Sequence, residues 1–469
     1  MDYFEDLRLV DGPVPWIAAV AGAAGLLFFL FSFRGQRTSG CGQGTAAARL
    51  LVLLLPFAAA LLAAAAMLAS AHWLMVDAFR VLPGDLPPEV LAWSLPAVTA
   101  LLLWIGSLWR TWRSAHAPAP GPGRAAAASA PHWALLAVAA TAALFGVVLF
   151  SAVQVNSYFG LNQTVGDLTG TAVARIPPLE DSLQQAPAAG PGVSPPGWRP
   201  PPGLPAGGTI RRADIPGTSS GFVSRDAFVY LPPVYQAAPR PALPVLVLFS
   251  GQPGAPSDWL TGGALQSRMD TFAAAHHGLA PVVVVVDPNG TASGNTLCMD
   301  SRIARADTFL AADVPAWITR TLEVDPDHRH WAVGGFSFGA TCAMQMVTRH
   351  PDVYSSALAF SSEQEPALGK DREETIAASF AGDTAAFDRQ TPLRLMTEHR
   401  FDGQGIYFAA GERDPEFLHN LAVLEPAARA AGFAVEAQTI PGVGHSWDTA
   451  SRALPAGLDF LAARWGFPR

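Results

Sequence analysis

Four unbroken apolar runs occupy the first third of the chain, at residues 14–33, 50–76, 90–109 and 133–154. Each has the roughly 20 residues that a helix needs to cross about 30 Å of hydrocarbon, and none contains Asp, Glu, Lys or Arg. Soluble helices of this length carry a polar stripe at the 3.6-residue period. These carry none, which favours membrane spans over the buried helices of a soluble bundle. The first run has an acidic flank (Asp2, Glu5, Asp6, Asp11) and three more runs behind it, so it reads as a retained span rather than a cleaved leader.

Beyond residue 208 the pattern changes. Short β-rich runs at 227–231, 243–249, 281–286, 331–335, 356–360, 405–409 and 434–440 alternate with helical stretches at 263–276, 305–322, 340–350, 416–431 and 449–464. The runs LPVLVLF and PVVVVV are apolar throughout, as expected of parallel strands covered on both faces. This alternation predicts a doubly wound, mostly parallel sheet with helices on both faces. Chemistry on such a sheet lies at the carboxyl ends of its strands. The chain is thus expected to comprise a transmembrane region at 1–154, a linker at 155–208 and one α/β domain at 209–469. The stretch 185–208 is dense in Pro, Gly and Ala and reads as an extended tether.

The loops between spans predict orientation. Arg34, Arg37 and Arg49 lie in one loop and Arg110, Arg113 and Arg124 in another, both without acids. The intervening loop holds Asp77, Asp85 and Glu89 against Arg80 alone, and the N-terminus has only Arg8. Basic loops stay cytoplasmic, so the N-terminus and everything after the fourth span should be extracytoplasmic in a multi-pass cell-membrane protein. His72 is the single ionisable residue in the spans, which argues for an anchor over an ion pathway.

Composition sharpens this picture. Half of the 469 residues are hydrophobic and 14% are charged, against about 25% charged in ordinary soluble proteins. Mean hydropathy is +0.25 and the formal net charge is −8. A disordered chain, a uniformly soluble globule and a basic nucleic-acid binder are all disfavoured.

The sharpest chemical signal is Gly335-Phe336-Ser337-Phe338-Gly339, a G-x-S-x-G pentapeptide between the strand WAVGG and the helical run ATCAMQMVTRH. A nucleophile on a tight strand-to-helix turn needs small neighbours, here Gly335 and Gly339. The turn aims the N–H of the next residue, Phe338, into an oxyanion hole. A serine hydroxyl also needs a base. His445, in the Gly-rich loop PGVGHSW between the last strand and the last helix, is the best placed. His276-His277 and His328-x-His330 lack a Cys or carboxylate at ligand spacing and read as surface turn positions, so no metal is expected. His350 ends the helix after the nucleophile, where a cation suits the helix dipole. His399 and His419 have no site context.

The orienting acid should follow the preceding strand. IYFAAGERDPEF supplies Asp414 as first choice, with Glu412 and Glu416 as alternatives. The order Ser337, Asp414, His445 is that of the α/β hydrolases. The second oxyanion donor should come from the loop after 243–249, where Gln252 is chosen because Pro253 has no N–H. Cys41 falls in a cytoplasmic loop, while Cys298 and Cys342 match in number and compartment. A Cys298–Cys342 disulfide beside the nucleophile helix is expected, the alternative being two buried thiols.

The stretch from LPVLVLFSGQPG through GGFSFGATCAM to GVGHSW resembles the esterase-D/antigen-85-type branch of α/β hydrolases. This branch includes feruloyl and enterochelin esterases and secreted mycolyltransferases. The resemblance covers about 209–469 and extends to membrane-anchored esterase-like proteins of actinobacteria. It implies serine acyl chemistry without metal or cofactor, on ester or acyl-lipid substrates. It also implies oxyanion N–H groups at Gln252 and Phe338 and leaves the acid open between Asp and Glu. Ser250 stands where the mycolyltransferases have an acidic residue, so a trehalose or mycolate substrate does not follow. The expected activity is a membrane-anchored serine esterase working through an acyl-enzyme. The alternatives are acyl transfer to an envelope sugar or lipid alcohol, and a non-catalytic tethered binding module. The loop 361–371 is a candidate specificity element.

Overall fold

The computed structural model describes residues 2–32, 46–79, 85–115, 130–183, 199–237 and 240–467. Arg34, Arg37, Arg80, Arg124, Cys41, His116 and the Pro-rich stretch 184–198 lie outside the described residues.

By packing, the chain forms two compact units. The first holds four long helices: α1 (Pro13–Ser32), α2 (Ala46–Trp73), α3 (Pro88–Ala115) and α4 (Ala130–Phe159). Each contains a stretch long and apolar enough to cross a membrane, with mean hydropathies of 2.1, 2.1, 1.7 and 2.4 in chain order. α3 continues past the apolar run to Ala115, and the Arg113 guanidinium lies 4.1 Å above the Trp109 ring. A long basic side chain beside an aromatic is a common arrangement where a span leaves hydrocarbon. Small residues let α1 and α4 approach closely: a Cβ added at Gly25 would stand 2.4 Å from the Ala143 carbonyl oxygen. Without a hydrophobic drive between helices in lipid, such backbone proximity supplies much of the packing.

The second unit is built on one eight-stranded sheet in the order β1-β2-β4-β3-β5-β6-β7-β8. The strands are β1 (Thr209–Ala213), β2 (Ala227–Leu231), β3 (Val245–Phe249), β4 (Val282–Val286), β5 (Trp331–Phe336), β6 (Ser356–Phe360), β7 (Gly405–Gly411) and β8 (Ala434–Ile440). β1 and β2 pair antiparallel and β2 meets β4 antiparallel, while every other pair is parallel. All positions of β2 to β7 are buried, as β-branched and aromatic runs covered on both faces should be. The carboxyl ends of β5, β6, β7 and β8 are in line, with Phe336 opposite Phe360, Phe360 opposite Ala409 and Ala409 opposite Gln438.

The half-buried edge strand β1 is absent from the sequence expectation because its TIRRA pattern has little apolar character. Helices α5 (Leu265–Ala275), α6 (Val314–Thr321), α7 (Phe338–Arg349), α8 (Arg372–Phe380), α9 (Pro392–Glu398), α10 (Pro415–Ala431) and α11 (Trp447–Trp465) join the strands. Of these, α8 and α9 were unforeseen, being short and weakly patterned. Part of the expected linker packs on the sheet. The Arg212 N–H donates to Pro177 O at 2.9 Å and the Leu179 N–H to Arg212 O at 2.8 Å. Ile176, Leu179 and Leu183 join the core.

Candidate active site

β5 runs into α7 through a single residue, Ser337, at φ 57° and ψ −121°. Such a conformation costs a non-glycine residue on the order of 1–3 kcal/mol and survives only where surroundings enforce it. The Ser337 N–H donates to Phe360 O at 2.9 Å, and the Ser337 carbonyl accepts from the N–H groups of Ala340 (2.9 Å) and Thr341 (3.1 Å). The glycines are demanded by space. A Cβ at Gly335 would lie 2.1 Å from the Gly339 carbonyl, and one at Gly339 would lie 2.2 Å from Phe249 O. Main chain packs on main chain, and the serine is left half-exposed at the carboxyl end of β5.

The imidazole of His445 bridges the serine and one carboxylate. Its Nε2 is 2.8 Å from Ser337 Oγ and its Nδ1 is 2.9 Å from Asp414 Oδ2. Asp414 occupies the N-cap position of α10 yet makes no side-chain cap bond. An aspartate there would ordinarily bond the helix N–H groups; its carboxylate, 6% exposed, turns to the imidazole instead. The two alternative acids stand elsewhere. Glu412 is exposed and accepts the Gly442 N–H at 2.7 Å, while Glu416 is exposed in the first turn of α10.

The loop after β3 reaches Ser337, since a Cβ at Gly251 would be 3.7 Å from Ser337 Cβ. The N–H of Phe338 opens α7, where no intrahelical partner exists. Among the described residues neither it nor the Gln252 N–H is bonded to a protein acceptor. Side chains and backbone hold the Gln252 loop firmly. Gln252 Nε2 donates to Ser293 O (3.2 Å), the Gly254 N–H to Ala292 O (2.9 Å), and the Ala255 N–H to Asp258 Oδ2 (2.9 Å). Burial pushes the Asp258 carboxyl up to about 6, against the lowering effects of the Ala255 N–H and Arg225. Ser250 is buried beside this loop. The loop that supplies Ala292 and Ser293 continues to Cys298, which is disulfide-bonded to Cys342 of α7 with the Cα atoms 5.5 Å apart. Gln345 Nε2 adds a bond to Leu297 O at 2.8 Å. One segment thereby links the Gln252 loop to α7.

Four other histidines of this unit have local partners. His330 Nδ1 is 2.8 Å from Asp325 Oδ2, His328 Nδ1 lies 3.1 Å from Asp352 O, and His350 Nε2 is 2.9 Å from Asp307 Oδ1. The ring of His276 lies 4.3 Å from that of Phe272.

The loop 361–371 was expected as a specificity element, but the individual contacts around the site escaped sequence reasoning. In the loop 361–371 the Glu363 N–H donates to Thr341 Oγ1 at 3.0 Å, and the Gln364 amide donates to Asn420 of α10 at 2.9 Å. Burial first, then the carboxylates of Glu416 and Glu365, push Glu363 up to about 8. Two phenyl rings, Phe336 and Phe417, stack on His445. Phe417 follows Asp414 by three residues, the spacing that puts two residues on one face of a helix.

A sheet in this strand order, with a serine on a strained strand-to-helix turn, defines the second unit as an α/β hydrolase. The family model described as "Putative esterase" matches residues 223–457, and the chain belongs to that family. An uncharacterised protein of Corynebacterium glutamicum is 38% identical over 269 residues, covering 55% of this chain and 63% of its own length. The chain thus spans less than two thirds of that relative. Among solved structures, an S-formylglutathione hydrolase from Agrobacterium tumefaciens aligns with 19% identity and a TM-score of 0.47, over 56% of this chain and 97% of its own. A ferulic acid esterase aligns with 20% identity and a TM-score of 0.46, over 55% and 98%.

Proposed function

We propose that this protein is a membrane-anchored serine esterase whose catalytic unit faces away from the cytoplasm. The observation that carries this reading is the continuous Ser337–His445–Asp414 hydrogen-bond line, with contacts of 2.8 and 2.9 Å. His445 Nε2 takes the Ser337 Oγ proton as Oγ attacks the ester carbonyl carbon. Asp414 holds the Nδ1–H tautomer and offsets the imidazolium charge. The N–H groups of Phe338 and Gln252 receive the developing oxyanion, each such donor contributing about 10²–10³ in rate. The imidazolium then returns its proton to the departing alkoxide, leaving an acyl-serine. Water, deprotonated by the same imidazole, releases the acid.

Metal, cofactor and nucleic acid have no part in this scheme. The positive-inside distribution of Arg34, Arg37, Arg49, Arg110, Arg113 and Arg124 supports an extracytoplasmic catalytic unit. An alcohol acceptor in place of water would make the same acyl-serine a transferase intermediate.

A fluorophosphonate probe incubated with the full-length protein tests the reading. Wild type should gain one adduct by intact mass and Ser337→Ala none. Equal labelling of the two would remove the serine from the mechanism. Adding glycerol or a sugar during turnover of a chromogenic ester separates hydrolysis from transfer through the appearance of the acylated alcohol.

A further inference from the structure

The imidazole of His445 is held by more than its two hydrogen bonds. The Phe336 ring lies 4.9 Å from it at an interplanar angle of 29°, and the Phe417 ring lies 4.2 Å away at 22°. Both stack near-parallel, and a five-membered ring has no room for two phenyls at these distances on one face, so one covers each. The two come from different elements: Phe336 from the end of β5 and Phe417 from the first turn of α10. Phe336 is backed by packed structure. Phe336 also meets Trp447 at 5.2 Å, and Trp447 makes an edge contact with the fully buried Trp259 at 5.2 Å. Trp259 in turn is fixed by its Nε1–H, which donates to Phe249 O at 2.9 Å.

We infer that Phe336 and Phe417 are positioning residues that clamp the catalytic imidazole and stabilise its cationic form during acyl transfer. The inference rests on the serine-esterase reading above. When Ser337 Oγ forms its bond to the carbonyl carbon, the hydroxyl proton moves to His445 Nε2 and the ring becomes an imidazolium. The face of an aromatic ring carries partial negative charge and attracts a cation stacked on it. This attraction exists only after the proton has moved, so it acts on the transition state more than on bound substrate and should appear in kcat. Two covered faces also restrict tilting of the ring. They leave the imidazole one freedom, along the line from Ser337 to Asp414, which keeps the reacting atoms near attack geometry.

Phe417 is the cleaner position to change, because Phe336 lies within the nucleophile turn. In the full-length protein, Phe417→Leu keeps apolar cover but removes the π face. We expect kcat for a short chromogenic ester to fall about tenfold with KM within about twofold of wild type. Phe417→Tyr, which restores a ring, should recover most of the loss. Fluorophosphonate inactivation, which requires the same activated serine, should slow in parallel with kcat. Melting curves check the fold of each variant, and Phe417→Met replaces the leucine variant if that one melts early.

An unchanged kcat with raised KM would mean that Phe417 merely lines the substrate pocket and would overturn the inference. So would a tyrosine variant as slow as the leucine one, which would assign the loss to shape alone. Ser337→Ala is run alongside: if it retains activity, the serine reading fails and the clamp with it. If it is inactive while Phe417→Leu matches wild type, the clamp alone fails.

Discussion

Replacing Asp414 by Asn tests which of three neighbouring carboxyl groups orients the base. The 2.9 Å contact to Nδ1 requires the ring to carry its proton there, leaving Nε2 free to accept from Ser337. An asparagine amide can turn its NH₂ toward Nδ1. That would stabilise the other tautomer, whose Nε2–H faces the serine hydroxyl and cannot take its proton. Asp414 is 6% exposed, so water has little access to restore the lost arrangement. Loss of the tautomer in such a triad costs about 10³–10⁴ in kcat, equivalent to about 4–5.5 kcal/mol of barrier.

Glu412→Gln removes only an exposed bond to the Gly442 N–H, and Glu416→Gln removes a carboxylate in the first turn of α10. Both should stay within about tenfold of wild type. Initial rates of short p-nitrophenyl ester hydrolysis by purified full-length variants measure all three, with circular dichroism confirming equal folding. A D414N variant within tenfold of wild type, beside a thousandfold loss in E412Q or E416Q, would refute the assignment.

Reducing the Cys298–Cys342 bond, or replacing Cys342 by Ser, should lower stability. The 44-residue separation corresponds to about 4 kcal/mol in the chain-entropy model. Urea unfolding followed by tryptophan fluorescence, with and without reductant, should show a lower midpoint; coincident curves would contradict it. A different signature is expected from Glu363, pushed from 4.5 up to about 8. A raised folded-state value means the native protein binds this proton more tightly, so its stabilising contribution falls as pH rises from 4.5 towards 8. Glu363→Gln should therefore be more stable than wild type at pH 8, by up to about 4 kcal/mol, and nearly equal to it at pH 4.5. Unfolding midpoints measured across that range decide it, and a wild type at least as stable at pH 8 would be the contrary result.

The strands were legible where packing leaves a strong imprint. VVVVV at 282–286 can only satisfy so many buried β-branched residues as a strand covered on both faces, and the spans announce themselves by length. Ser337 and His445 stand out because their loops need glycine: Gly339 is forced by Phe249 O 2.2 Å from its would-be Cβ. The acid was less legible. Glu412, Asp414 and Glu416 share one loop, and which of them turns inward depends on β8 and the His445 loop, far along the chain. Asp414 even sits at a position where local rules assign it to capping. The stacking of Phe336 and Phe417 on the imidazole is wholly tertiary, as is the packing of Leu179 and Leu183 on the core. Short helices such as Arg372–Phe380 owe their place to the surface they cover and carry little pattern of their own.

The alignment of strand ends has a consequence for how activity reports on folding. The serine, the acid and the base hang from β5, β7 and β8, whose partners are matched residue for residue. Slipping β8 by one residue would carry His445 about 3.4 Å along the strand direction and turn the alternate side chains over. β8 is also an outer strand, paired on one side and exposed at most positions. The proposed general base therefore depends on the least protected edge of the sheet, whose local opening needs less free energy than opening of the core. Turnover is a register gauge: a molecule can keep its apolar centre intact and still fall silent when one marginal strand lets go.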